Sequence, residues 1–221
     1  MKICIIDYGV GNIRSVSSAL QVLGIEAIIT SDPALVAKAN GIILPGVGAF
    51  KAGMQNLQDL NLLEVLREKV LVEKTPFLGI CLGMQLLAEK SEENGLYKGL
   101  GFIPGVVKRI PVEADVKIPH IGWNEVRFSF RKTSLWENLE PRSSFYFVHS
   151  FYLDTDLVLI SSYTDYGIPL TASIERENIF GVQFHPEKSQ QAGLLLLKNF
   201  LDYVYTYEYS QTQAYSMSIV E

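Results

Sequence analysis

Four short apolar runs, at residues 2–6, 25–30, 41–44 and 77–80, alternate with helix-patterned stretches at 12–23, 50–57 and 60–73. No other feature narrows the fold as far. Short apolar runs without an alternating polar face read as strands buried on both sides. A strand that leads through a helix to the next strand builds a parallel sheet covered on both faces. Asn12 stands where it can cap the first helix, and Asp32 followed by Pro33 marks the start of another. The expected fold is α/β, with ligands bound beyond the carboxyl ends of the strands.

The second half changes rhythm. Residues 106–110, 122–128, 145–153, 158–163, 170–176 and 179–184 read as strands, with only short helical pieces between them, such as 134–139. Consecutive strands of this kind are expected to add antiparallel neighbours to the parallel core, still within one domain. Ser189 is expected to cap a closing helix with Leu194, Leu197, Phe200 and Leu201 on one face. From Asp202 the pattern degrades into Tyr203, Tyr205, Tyr207 and Tyr209 at alternate positions, then Ser, Thr and Gln. The expected division is a domain at 1–201 and a flexible extension at 202–221, either a frayed end or an accessory strand.

Composition sets outer limits. A chain of 221 residues can bury a full core. Its two cysteines, Cys4 and Cys81, lie far apart, which fits a reducing compartment better than a disulfide framework. The net charge of −5 argues against nucleic acid or anionic membrane as the main partner. Apolar runs such as 194–197 are too short to span a bilayer, and no secretory signal opens the chain. A cytoplasmic location is expected. Gly9 and Gly11 lack the third glycine of a dinucleotide fingerprint, since Arg14 stands there. No cofactor and no metal are expected.

The chemistry concentrates in Gly79-Ile80-Cys81-Leu82-Gly83, a thiol version of the Gly-x-Ser-x-Gly nucleophile elbow. A buried strand enters it, and Met84, Leu87 and Ala88 leave it at helical spacing. The glycines allow a sharp turn without a Cβ clash. That turn sets Sγ of Cys81 over the sheet edge at a helix N-terminus, where the dipole favours thiolate. The N–H of Leu82 is then one oxyanion donor. An isolated cysteine is more often a small buried hydrophobe, so the motif needs a base. Gln183-Phe184-His185-Pro186-Glu187 supplies it. A strand ends at His185, and Pro186 fixes the backbone so that Glu187 orients the imidazole toward Cys81.

Together with Pro45-Gly46-Val47-Gly48, and with Met84-Gln85 following the elbow, these motifs resemble the class I (triad) glutamine amidotransferase domain. The resemblance implies a flavodoxin-like three-layer fold and hydrolysis of L-glutamine to glutamate and ammonia through a glutamyl-thioester. Further stretches are similar to the glutaminase subunits of imidazole glycerol phosphate synthase. They are Asp7-Tyr8-Gly9-Val10-Gly11-Asn12, Gly46-Val47-Gly48-Ala49-Phe50, Pro119-His120-Ile121-Gly122-Trp123-Asn124 and Phe147-Val148-His149-Ser150-Phe151. This implies a heterodimer with a cyclase subunit built as a (β/α)8 barrel. The cyclase would use the ammonia to make imidazole glycerol phosphate and an aminoimidazole carboxamide ribotide in histidine biosynthesis. A subunit of anthranilate or aminodeoxychorismate synthase is the rival enzyme reading, against which residues 119–124 speak. An inactive glutaminase-like regulatory protein is the other rival, against which the intact Cys81, His185 and Glu187 speak.

The resemblance implies roles for single residues. Cys81 is the nucleophile, His185 the acid/base and Glu187 its orienter. Gly46, Val47, Gly48 and Leu82 bind around the reacting end of the substrate. Separately, the glycines flanking Val47 leave its peptide planes free to rotate, so an N–H of the 45–48 loop is expected to complete the oxyanion hole only when the partner docks. Gln85, Glu93, Ser150 and Phe151 hold the substrate, with Glu92 competing for the α-ammonium role. His120, Trp123, Asn124 and His149 are placed at the mouth facing the partner, with a structural role for either histidine as the alternative.

Overall fold

The apolar runs of the first half become β1 (Ile3–Ile6), β2 (Ile28–Thr30), β3 (Gly41–Gly46) and β4 (Phe77–Cys81). The structure is a computed structural model that describes residues 1–111, 116–129 and 133–218, with side chains as far as residue 210. The last three residues of the expected extension lie outside the described residues. Between the strands run α1 (Ile13–Val22), α2 (Pro33–Val36), α3 (Phe50–Asp59) and α4 (Leu62–Arg67), the last continued by a π-helical turn at Glu68–Val72. Asp32 caps α2 as expected, its carboxylate accepting from the N–H of Ala34 at 2.8 Å. Asn12 sits at the N-cap of α1 but makes no side-chain cap bond.

After Cys81 the expected helix is short. Helix α5 (Leu82–Leu86) gives way to β5 (Ala88–Ser91), so Ala88 belongs to a strand. There follow β6 (Tyr97–Lys98), β7 (Ile103–Arg109), β8 (His120–Glu125), β9 (Arg127–Phe128), β10 (Ser144–His149) and β11 (Phe151–Asp154). The chain closes with β12 (Ile160–Tyr166), β13 (Ile168–Arg176), β14 (Ile179–Val182) and α6 (Gln190–Ser218). The large sheet has the order β2-β1-β3-β4-β14-β13-β12-β9. Its first five strands are parallel and the rest antiparallel. Not every second-half strand joins it. Strands β11-β7-β5-β6 form a separate sheet, and β10 pairs with β8 as a two-stranded ribbon.

Both faces of the parallel strands are covered. On β1, Ile3 and Ile5 join Ile43, Leu78 and Ile80 in one core with α1 and α6. Cys4 and Ile6 point the other way, into a core with Ile42, Leu44, α3 and α4. Each fully buried Leu, Ile or Phe is worth about 1.5–3 kcal/mol relative to exposure. Packing on both sides therefore fixes β4, and with it the position of the elbow.

Beyond residue 201, α6 continues through Ser218 in place of a frayed end or strand. Tyr203 meets Phe180 edge-on and stacks with Tyr207, whose hydroxyl donates to the carbonyl of Glu73 at 3.1 Å. Tyr205 and Tyr209 are exposed. Residues spaced by four share a helix face, so four alternate tyrosines satisfy a helical pattern as well as a strand pattern. Among the described residues no helix is long and apolar enough to cross a membrane.

Candidate active site

Strand β4 delivers Cys81 to the carboxyl edge of the sheet, and the cysteine itself makes the turn. Its φ is 55° and its ψ −110°, a region that costs a non-glycine residue about 1–3 kcal/mol. The flanking glycines have a different task from the expected one of bending the chain. A Cβ on Gly79 would lie 2.6 Å from the carbonyl oxygen of Gly83, and one on Gly83 would lie 1.8 Å from that of Leu44. They allow α5 to press directly onto β3 and β4. Strand β14 lies beside β4, with Val182 opposite Ile80, and so carries the following residues to the same edge.

His185 and Glu187 meet there. Nδ1 of His185 and Oε1 of Glu187 are 2.9 Å apart, with both side chains almost wholly buried. This bond places the second ring nitrogen, Nε2, on the side of Cys81. Burial alone would lower the imidazole pKa; the Cys81 side chain, and then the Glu187 carboxylate, outweigh it and raise the value to about 9. Nε2 itself makes no hydrogen bond of good geometry among the described residues, so thiol and imidazole are neighbours without a well-formed bond. The backbone of His185 is clamped as well. Its N–H donates to the carbonyl of Tyr146 at 2.9 Å, and the hydroxyl of Ser189 donates to its carbonyl at 2.6 Å. Ser189 thus ties down the site with the hydroxyl expected to cap α6.

Two neighbours lie within motifs already quoted, but the motifs give them no role at the triad. Asn12 donates from Nδ2 to Oε1 of Glu187 at 3.0 Å and accepts from Ser15 Oγ at 2.7 Å. Its side chain is engaged across 175 residues of sequence instead of capping α1. Gln183 donates from Nε2 to Sγ of Cys81 at 3.7 Å. The one available signal for Gln183 was a polar residue inside an apolar strand-forming run. Asn12 is marked only as a helix cap and as the end of the 7–12 stretch, with nothing local to link it to Glu187.

A cavity of about 290 Å³ opens over Cys81, lined by Val47, Gly48, Leu82, Gln85, Glu93, Pro119, Val148, His149, Ser150 and Phe151. Most residues expected around a substrate are here. Gly46 is not; it lies beneath, packed against the hydroxyl of Tyr8 and Cβ of Leu82. Glu92 is exposed and absent from the lining, whereas Glu93 faces the cavity and accepts from the N–H of Phe50 at 2.6 Å. Gln85 is buried, not solvated, and its amide donates to Phe151 O and Gln183 Oε1, both at 3.0 Å. The carbonyl of Phe151 also meets Nδ1 of His149 at 2.8 Å. With both lone pairs used, Phe151 can offer a ligand only its N–H.

The residues expected at the mouth divide. Strand β8 alternates: Ile121 and Trp123 are 58% and 50% exposed, while His120 is buried. His120 and His149 are both buried, which fits the structural role given as their alternative, and His149 also borders the cavity. Since Nδ1 of His149 must donate to a carbonyl, its Nε2 accepts from Nδ1 of His120 at 3.0 Å. Nε2 of His120 in turn accepts from Asn124 at 3.2 Å. His120 lies between the rings of Phe147 and Tyr166. Burial lowers the pKa of His120 to about 4 and that of His149 to about 3.

These shifts carry opposite signs in stability. His185, raised from 6.5 to about 9, contributes fully below pH 6.5, and the contribution is lost as pH rises through 9. His120 and His149, held neutral, contribute above pH 6.5 and lose that contribution as pH falls below it. The histidine-dependent stability therefore peaks near pH 6.5, with an alkaline limb of at most about 3 kcal/mol. Urea unfolding across this range should show the peak, and His185→Asn should flatten the alkaline limb alone. An unchanged limb in that variant would refute the assignment.

A strained thiol facing a buried imidazole–carboxylate pair, over the carboxyl edge of a parallel sheet, is an arrangement for nucleophilic acyl transfer. The family model for glutamine amidotransferase class-I matches residues 4–203, and the chain belongs to that family. Curated relatives are more specific. Imidazole glycerol phosphate synthase subunit HisH 2 of Methanococcus maripaludis is 50% identical over 202 residues, covering 90% of this chain and 98% of its own. Subunit HisH of Moorella thermoacetica is 50% identical over 199 residues, covering 90% and 93%. At these identities the chain falls among the HisH subunits of that synthase. Solved structures agree on the fold: the structure of PurLQS from Thermotoga maritima superimposes with a TM-score of 0.69 over 92% of this chain and 98% of that one, at 19% identity.

Proposed function

We propose that Cys81, His185 and Glu187 hydrolyse the side-chain amide of glutamine and that the ammonia passes to a cyclase subunit docked on the chain. The observation that carries this reading is the strained Cys81 beside the buried His185–Glu187 pair. Sγ attacks the amide carbon, and the C–N bond breaks as Nε2 of His185 gives its proton to the leaving ammonia. Water then attacks the thioester carbon while His185 takes a proton, the S–C bond breaks, and glutamate leaves. Glu187, held by Asn12, keeps Nδ1 protonated throughout. Glu93 is suited to the substrate's α-ammonium, because its carboxylate borders the cavity and Glu92 does not. The N–H groups of Leu82 and Val47 are assigned to the oxyanion.

The amidotransferase unit is residues 1–201, working in the cytoplasm as half of a heterodimer. The partner is a barrel-shaped cyclase, whose lyase-type step yields imidazole glycerol phosphate and the carboxamide ribotide. Trp123 on β8 belongs to the face it covers, with Asn124, His120 and His149 bracing that face from behind. Alkylation tests the site directly. Cys4 is fully buried, with its thiol pKa pushed up by burial, so iodoacetamide should modify Cys81 alone, and glutamine should slow it. Modification of Cys4 instead, or no protection by glutamine, would remove the reading.

A further inference from the structure

Tyr8 follows β1 with its ring 1% exposed, in the core shared with α3. Its hydroxyl has no hydrogen-bond partner among the described residues. The oxygen stands against Gly46 so tightly that a Cβ built there would lie 2.1 Å from it. Burial, and then the nearby Cys81, push the phenol pKa up, which keeps the group a donor. A buried hydroxyl without an acceptor has given up its bonds to water without replacement. A rearrangement that offers it an acceptor recovers that loss.

Gly46 provides such an acceptor. It ends β3, paired with Cys81 across the ladder to β4, and the chain then leaves the sheet through Val47, 40% exposed, and Gly48 at φ 102°. The peptide after Gly46 is planar and trans, so its C=O and the N–H of Val47 point in opposite directions. Whatever fixes one fixes the other.

We infer that Tyr8 is a positioning residue for the oxyanion loop: in the working conformation the Gly46 carbonyl leaves the β4 edge and accepts from the Tyr8 hydroxyl, which turns the Val47 N–H into the cavity above Cys81. No covalent bond changes, and the tyrosine never touches substrate. The inference rests on the glutaminase reading and adds the device that holds its second oxyanion donor.

The test uses the full chain with its partner subunit. Tyr8→Phe should lower kcat for glutamine by about ten-fold or more, since an oxyanion donor is lost for part of the time. KM for glutamine should stay within about two-fold, because the tyrosine does not line the cavity that takes the amino acid. Alkylation of Cys81 by iodoacetamide should keep the wild-type rate, as that reaction forms no oxyanion. The thermal midpoint should not fall, because the lost hydroxyl had no bond to give up. A wild-type kcat, or alkylation slowed in parallel with turnover, or a lowered midpoint, would each overturn the inference. Wild-type chain run alongside separates the two claims. Turnover by wild type keeps the glutaminase reading, whatever Tyr8→Phe does.

Discussion

Cys81→Ala is expected to reduce glutamine hydrolysis by at least about 10⁴-fold, because the nucleophile cannot be replaced by any other group in the cavity. The same variant, combined with the partner cyclase, should still support ring closure from ammonium salts. Failure with both nitrogen sources would contradict the proposed division of labour, since loss of one sulfur leaves the fold of the subunit intact. A second substitution at the position reads out the backbone. Cys81→Gly is equally inactive, yet it should unfold at higher urea than Cys81→Ala by about 1 kcal/mol or more, because only glycine adopts φ 55°, ψ −110° without strain. Equal midpoints would mean that the elbow stores no strain.

Gly83→Ala should be among the most destabilising small substitutions in the chain. Its Cβ would meet the carbonyl oxygen of Leu44 at 1.8 Å, and the obstacle is strand backbone that no rotamer change can move. Helix α5 would have to lift off β3, opening the core around Leu82 and Leu86. The expected cost is about 3 kcal/mol or more, equivalent to a thermal midpoint lower by roughly 10 °C for a chain of this size. Gly24→Ala is the control: its φ is 80° but, beyond its own chain neighbours, no atom lies within 4 Å of the added methyl. Strain alone should cost about 1–2 kcal/mol there. A soluble Gly83→Ala with the wild-type midpoint would show that α5 does not rest on the strand.

Both substitutions bear on how far the chain could be read before it was folded. The strand–helix alternation, Cys81 in its glycine frame and the His185-Pro186-Glu187 turn are local patterns, and they led to the right sheet and to the edge where Cys81, His185 and Glu187 meet. The same local reading misassigned two things and left a third open. It gave the turn to the glycines, when the positive φ belongs to Cys81 and the glycines make room for neighbouring backbone. It ended α6 too early, because four alternate tyrosines fit a strand as well as two faces of a helix. It left His120 and His149 between the mouth and a structural role, where the alternation of β8 sends Ile121 and Trp123 outward and His120 in.

By itself the sequence determined which segments become strands and helices, and which residue types could do amide chemistry, because periodicity and turn composition act over a few residues. Only the folded chain decided how those residues are held. The bonds of Asn12 to Glu187 and of Gln183 to Cys81, and the contact of Tyr8 with Gly46, join segments far apart in the sequence. Such contacts are set by the strand order β1-β3-β4-β14, which brings four strand ends to one edge. No short-range pattern encodes that order; it follows from burying both faces of the sheet at once.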